Sequence, residues 1–289
     1  MKGGLVGMVY AAKALQEAKV KLNGRIEIVC VPDEETGGAQ GTRYLTERGL
    51  LGRDGIGMLT AEPTSGAIWN ACRGAISLCV TVKGKPAHVG LACRGVNAFE
   101  GAVQVANALL EHKKKVETRK TAFHIAPEAA RNSILMLGGR CEGGTNFNLV
   151  PAECSFTVDR RINPEEDFDA EKQDLLGLLE RVRRDGIELE VATLQEGRSA
   201  GTPENHRVAQ ELARSVEKIT GKPPAFEMCP GLLEIRFYVE NGIPAFAYGP
   251  GRLSVSHGPN EFVALRDIES CAAIYALAAA RLLASESAS

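Results

Sequence analysis

The strongest constraint on this chain is a change of rhythm along it. Helix-period and strand-like apolar runs alternate at both ends, and a block with another pattern interrupts them. Leu5, Met8, Val9, Ala12 and Leu15 recur at helical spacing. We read them as a helix of the fold rather than a secretion signal, because the apolar part is short, carries glycines and runs into Lys13 without a break in helical periodicity. Residues 25–31 are apolar and β-branched, which predicts a buried parallel strand, and 56–61 predict a second. The alternation resumes with a predicted helix at 204–220, a strand at 245–248 and a closing helix at 265–284, before a short serine-rich tail at 285–289. This order predicts an α/β architecture, a mixed or parallel sheet flanked by helices.

The interrupting block opens with a strand at 74–83, where Ile76, Leu78, Val80 and Val82 alternate. An amphipathic helix at 97–115 follows, then strands at 133–137 and 153–159, a helix after Pro164 and a strand at 187–194. That succession is βαββαβ, the ferredoxin-like order. The expected organisation is one α/β domain built from residues 1–71 and 196–289, with a ferredoxin-like domain inserted at 72–195.

Charge excludes some functions. The 34 basic and 36 acidic side chains leave a net charge of −2, without the basic footprint of a nucleic-acid binder. Lys113-Lys114-Lys115 with Arg119-Lys120 reads as a solvated helix end. The longest apolar run, 271–280, is far below the roughly 18 residues of a membrane span. Eight cysteines lie scattered without a CxxC pair, which points to a reducing, cytoplasmic setting. Cys30, Cys79 and Cys154 fall in strand-like runs, where a thiol serves as a small hydrophobe. No GxSxG elbow or GxxxxGK[ST] loop is present, and Gly138-Gly139 and Gly143-Gly144 read as hairpin glycines between strands.

Chemistry concentrates where predicted strands end, the usual place for ligands in open α/β sheets. Glu34-Glu35 follow the run ending at Val31, Glu62 follows 56–61, and His257 lies in the loop after Tyr248. Carboxylates with one imidazole suit a divalent ion such as zinc. Adjacent glutamates suggest one on the metal and one free to move protons. Favourable charge at a helix N-terminus alone would also account for Glu34-Glu35.

Five short motifs then occur in order: Met1-Lys2-Gly3-Gly4, Pro32-Asp33-Glu34-Glu35-Thr36-Gly37-Gly38, Ala61-Glu62-Pro63-Thr64, Gly84-Lys85-Pro86-Ala87-His88 and Ser256-His257-Gly258-Pro259-Asn260-Glu261. Together they resemble the co-catalytic zinc family of acetylornithine deacetylase, succinyl-diaminopimelate desuccinylase, aminoacylase and glutamate carboxypeptidase. The resemblance spans essentially the whole chain. It implies a metal-dependent hydrolase of amide bonds in N-acyl amino acids or small peptides, with the inserted domain as lid and homodimer interface. Glu34 resembles the general base, Glu35 and His257 the ligands of one Zn2+, and Glu62 a ligand of a second, with Co2+ or Mn2+ as alternatives. His88 resembles the histidine that stabilises the oxyanion across the dimer. Asn148 and Arg161 resemble substrate-binding lid positions, and Arg236 a carboxylate clamp. Glu234 stands where the family more often has Asp.

In that family an aspartate bridging both metals directly precedes the Met1-Lys2-Gly3-Gly4 motif, and a further histidine ligand lies earlier. This chain begins at Met1. The sequence therefore carries two expectations: weak metal binding and little activity in a chain cut short of its relatives, or a non-catalytic dimeric binding module on the same scaffold.

Overall fold

A computed structural model of the chain describes residues 1–52 and 54–284, so the serine-rich tail lies outside the described residues. In chain order the elements begin with α1 (Lys2–Glu17), α2 (Thr42–Glu47), β1 (Met58–Thr60), β2 (Ile68–Cys72), β3 (Gly74–Lys83), α3 (Ala98–Val116), β4 (Ile134–Gly143) and β5 (Glu153–Ile162). They continue with α4 (Phe168–Arg184), β6 (Leu189–Gly197), β7 (Ala200–Gly201), α5 (Arg207–Thr220), β8 (Phe226–Cys229), α6 (Ile235–Glu240), β9 (Ala245–Ala247) and α7 (Leu265–Leu283). The chain forms two compact units.

The first unit comprises Met1–Cys72, Ala200–Cys229 and the chain from Leu233 onward. Its sheet runs β1-β9-β2-β7, with β8 also paired to β2. The β1–β9 and β2–β8 pairs are parallel and β2–β7 is antiparallel, which makes the sheet mixed. Strands β2 and β9 are buried throughout, and helices α1 and α5 pack on α7. Ile68, Leu212, Phe246 and Ile274 anchor this core. Helix α1 buries Gly4, Gly7, Ala11 and Leu15, the stripe a one-sided helix requires. A Cβ on Gly4 would lie 2.4 Å from the Ala61 carbonyl oxygen, so only glycine lets α1 approach the backbone leading into Glu62.

The predicted strand at 25–31 is not formed. That segment has no regular secondary structure, and Ile26 and Cys30 are exposed. Its composition satisfies strand propensity, but no strand among the described residues pairs with it, and a strand exists only through its ladder. Cys30 is therefore not a buried hydrophobe; Cys79 and Cys154 are half-buried.

The second unit comprises Arg73–Ser199 with Pro230–Leu232. Its four strands run β4-β5-β3-β6, every neighbour antiparallel, with α3 and α4 as the two crossovers. This is the ferredoxin-like arrangement. Ile76, Leu78, Val80 and Val82 of β3 meet Val105 and Leu109 of α3 and Leu175 and Leu179 of α4 in one core. The helices start where side chains cap them: Asn97 accepts from the Phe99 and Glu100 amides, and Asp167 from Ala170. Strand β4 runs past the predicted 133–137 to Gly143, through an irregularity after Leu137 where Gly138 takes φ +74°. Gly138 and Gly139 thus belong to a bulged strand rather than to the connecting loop.

Candidate functional site

The Glu34–Glu35 pair lies on a one-turn 3-10 helix, Glu34–Thr36. The turn closes on itself, because the Gly37 amide donates to the Glu34 carbonyl (3.0 Å) and the Gly38 amide to the Asp33 carbonyl (2.9 Å). Asp33 precedes it in the left-handed region, φ 64°, and its carboxylate accepts from the Gln40 amide at 2.7 Å. His257 is also left-handed, φ 60°, in a loop where its amide donates to the Glu261 carboxylate at 3.2 Å. A non-glycine residue held at positive φ carries backbone strain, and such strain gathers at functional sites.

The heads of these two loops meet. Glu35 Oε2 and His257 Nε2 are 3.8 Å apart, both side chains 75% exposed. Glu62 follows β1 through the buried Ala61. Burial, and next the neighbouring Glu34 charge, push its carboxyl up to about 7, although the Met1 α-amino group offsets part of this. Glu34 is also pushed up, by burial and by Glu234 and Glu35, while Arg236 and His257 pull it back. Glu234 is raised by burial above all, and Asp33 adds to it. Its Oε1 is buried without a hydrogen-bond partner.

Four of the sequence-derived positions therefore share one electrostatic neighbourhood. Glu35 and His257 approach directly, Glu62 responds to the Glu34 charge, and Glu34 to those of Glu35 and His257. The expected convergence of three ligands is incomplete, since no group of three or more His, Cys, Asp or Glu placed to hold a metal occurs among the described residues. Two supporting residues lie outside the predicted set. Asp33 and Glu234 border the same turn, and Glu234 is legible in the sequence only as a departure from an expected Asp.

Arg236 is 5% exposed. Its Nη1 donates to the Leu233 carbonyl at 2.7 Å and its Nη2 to the Gly37 carbonyl at 2.9 Å. The remaining predicted positions belong to the second unit. His88 caps a short helix there, its Nδ1 accepting from the Gly90 amide at 3.1 Å. It pairs with Leu149, and the Val89 amide donates to the Asn148 carbonyl at 2.9 Å, so His88 and Asn148 are neighbours. Arg161 is ion-paired to Asp159 at 2.7 Å.

The donor chemistry fits a divalent cation. Glu34, Glu62 and Glu234 each hold a proton more tightly than an isolated carboxyl, because burial first and then neighbouring carboxylates disfavour their charges. A cation among them would relieve that repulsion, and an imidazole beside a carboxylate is a zinc-type donor pair.

Residues 1–281 match the family described as Peptidase family M20/M25/M40. The chain belongs to that family. A probable succinyl-diaminopimelate desuccinylase of Staphylococcus epidermidis is 24% identical over 282 residues, covering 91% of this chain and 69% of the relative. The acetylornithine deacetylase of Myxococcus xanthus is 28% identical over 282 residues, covering 96% and 70%. Among solved structures, the M20 family metallo-carboxypeptidase Sso-CP2 of Sulfolobus solfataricus superposes with TM-score 0.75 at 17% identity, covering 96% of this chain and 75% of that one. Aminopeptidase PepT of Bacillus cereus gives TM-score 0.72 at 21% identity, covering 97% and 70%. Likeness at these identities shows a shared M20 fold. No helix among the described residues is long and apolar enough to cross a membrane.

Proposed function

We propose that this M20-family chain is a divalent-metal-dependent hydrolase that cleaves the amide bond of N-acyl amino acids or small peptides in a reducing, cytoplasmic setting. The observation that carries the reading is the Glu35–His257 approach of 3.8 Å beside the raised carboxyls of Glu34 and Glu62. Glu35 and His257 would hold one ion, Zn2+ or else Co2+ or Mn2+, and Glu62 would serve a second. When bound, such an ion polarises the scissile carbonyl and makes water easier to deprotonate.

The chain's own groups do the rest. Glu34 takes the proton from the attacking water on a carboxylate oxygen. As the C–N bond breaks, it hands that proton to the departing nitrogen, leaving a carboxylic acid and a free amine. Burial and the neighbouring Glu234 and Glu35 charges raise its proton affinity above that of a free carboxyl, the direction a proton carrier needs. Asn148 and Arg161 would bind polar groups of the substrate, and His88 of the partner subunit would stabilise the oxyanion.

A second reading is a non-catalytic dimeric binding module, favoured by the incomplete ligand set among the described residues. Metal analysis of the purified chain, with assays on an N-succinyl amino acid, an N-acetyl amino acid and a dipeptide, separates the two. Metal-dependent turnover supports the hydrolase. Ligand binding without turnover at any metal concentration overturns it in favour of the module.

Glu62 gives a linked pH test. Its folded value near 7 exceeds the 4.5 of an unperturbed carboxyl. Between those two the folded state holds more protons than the unfolded, so metal-free stability falls as pH rises through that window. The loss amounts to about 3 kcal/mol, since each tenfold change in proton affinity is worth roughly 1.4 kcal/mol. Thermal melts in chelator should lose stability from pH 5 to pH 8. Glu62→Gln should flatten that loss, and Zn2+ or Mn2+ should raise the midpoint more at pH 8 than at pH 5. A metal effect independent of pH would remove Glu62 from the ligand set.

Homodimerisation through the second unit has support on α3. Phe99, Val103 and Leu110 are exposed and follow one another at helical spacing along one side. Phe99→Glu together with Leu110→Glu should halve the mass measured by light scattering. An unchanged dimer mass would exclude this face.

A further inference from the structure

Arg236 looks from its sequence context like a clamp for a substrate carboxylate, and its surroundings give it another task. We propose that Arg236 is a positioning residue that holds the Glu34–Gly38 turn in its working shape. This inference rests on the hydrolase reading above for the importance of Glu34 and Glu35, but the contact itself does not.

A carboxylate clamp needs an accessible guanidinium fork presenting parallel N–H groups to two oxygens. Arg236 is 5% exposed, and each terminal nitrogen already donates to a main-chain carbonyl. One acceptor, Leu233, lies on its own segment at 2.7 Å. The other is Gly37, 199 residues away in sequence, at 2.9 Å. That carbonyl immediately follows the Glu34–Thr36 helix, so the bond ties α6 to the piece of backbone that aims the two glutamates.

The surrounding packing supports the same task. The guanidinium carbon lies 4.2 Å from the centre of the Phe237 ring, which fixes its plane. Phe237 and Glu234 also lie close to the turn at Gly38. A Cβ built on Gly38 would sit 3.0 Å from Glu234 Oε1 and 3.3 Å from Phe237 Cε2. Gly38 itself is left-handed, φ 70°. Three residues of the Glu234–Phe237 segment thus border a turn that is tight for a side chain at Gly38 and whose backbone there few side chains tolerate. The positive charge also faces Glu34 and offsets part of the repulsion from Glu234 and Glu35.

Hydrogen exchange on the metal-free chain tests the contact without any turnover. Loss of a charge-assisted bond in Arg236→Met should speed exchange of the Gly37, Gly38 and Gln40 amides by about tenfold or more, with α7 and the second unit unchanged. Arg236→Lys, which keeps a donor, should recover part of that protection, and added guanidinium should restore it to the methionine variant. In metal-loaded protein, Arg236→Met should lower kcat while KM stays within about twofold, because the defect lies in the alignment of groups rather than in substrate capture. Unchanged exchange in the turn, or a raised KM at constant kcat, would overturn the proposal. If Arg236→Met raises exchange everywhere, Arg236→Lys decides alone: a rise confined to the turn supports the proposal, and wild-type exchange there overturns it. A chain without turnover would sink the hydrolase reading and leave the exchange result standing.

Discussion

Glu34→Gln should abolish amide hydrolysis in the metal-loaded chain, by about 10²–10⁴-fold in kcat, while the protein folds as before. The side chains are nearly isosteric, and the amide keeps a donor and an acceptor but cannot take a proton from water. Thermal stability should hold or rise slightly, because Glu34 carries a charge disfavoured by burial and by Glu234 and Glu35. That pairing of lost turnover with unharmed stability separates a proton carrier from a structural residue. Glu35→Gln makes the contrast: it should weaken metal affinity, read by titration, and recover turnover as metal is raised. Near-wild-type kcat in Glu34→Gln would remove it from the proton path, and metal-rescuable loss would recast it as a ligand.

The ferredoxin-like unit is legible from sequence because its signals are local. Two-residue alternation in β3 and helix-period apolar residues in α3 are read without knowing what lies opposite, and both elements form where expected. Segment 25–31 fails because its apolar character states a preference and not a partner. The candidate site divides the same way. The carboxylates and imidazole show their chemistry in their residue types, which is why Glu34, Glu35, Glu62 and His257 stand out in the bare sequence. The orientation of Arg236 toward Gly37 depends on packing between segments distant in sequence. No spacing rule carries that information. Asp33 gives no such signal for a related reason: beside an acidic pair, a further acid looks like a solvated charge until its surroundings are known.

Asp159-Arg160-Arg161 shows how far a motif can mislead about energetics. Arg160 is 1% exposed, ion-paired to Glu166 at 2.6 Å and to Glu171 at 2.8 Å. Arg119 binds the same two carboxylates, with Glu166 at 2.8 Å. Glu166 also accepts from the Ser133 hydroxyl and, at 2.8 Å, from the Asn163 amide. Burial alone would raise its carboxyl, yet these donors and the Arg160 charge hold it below the usual range. Glu166→Ala leaves the Arg160 charge buried with Glu171 as its remaining carboxylate partner. Removing one member of a buried pair costs about 3–5 kcal/mol. Denaturant unfolding should show that loss in the second unit, whereas Glu153→Ala, which breaks an exposed pair with Lys83, should cost much less. The sign with pH follows from the lowered value. Glu166 contributes stability above its unfolded pKa and loses it as pH falls through its folded one, so acid unfolding should be less steep in the variant than in the wild type. If Glu166→Ala costs no more than Glu153→Ala, the network does not hold the unit together, and the buried Arg160 must be solvated by rearrangement of its neighbours.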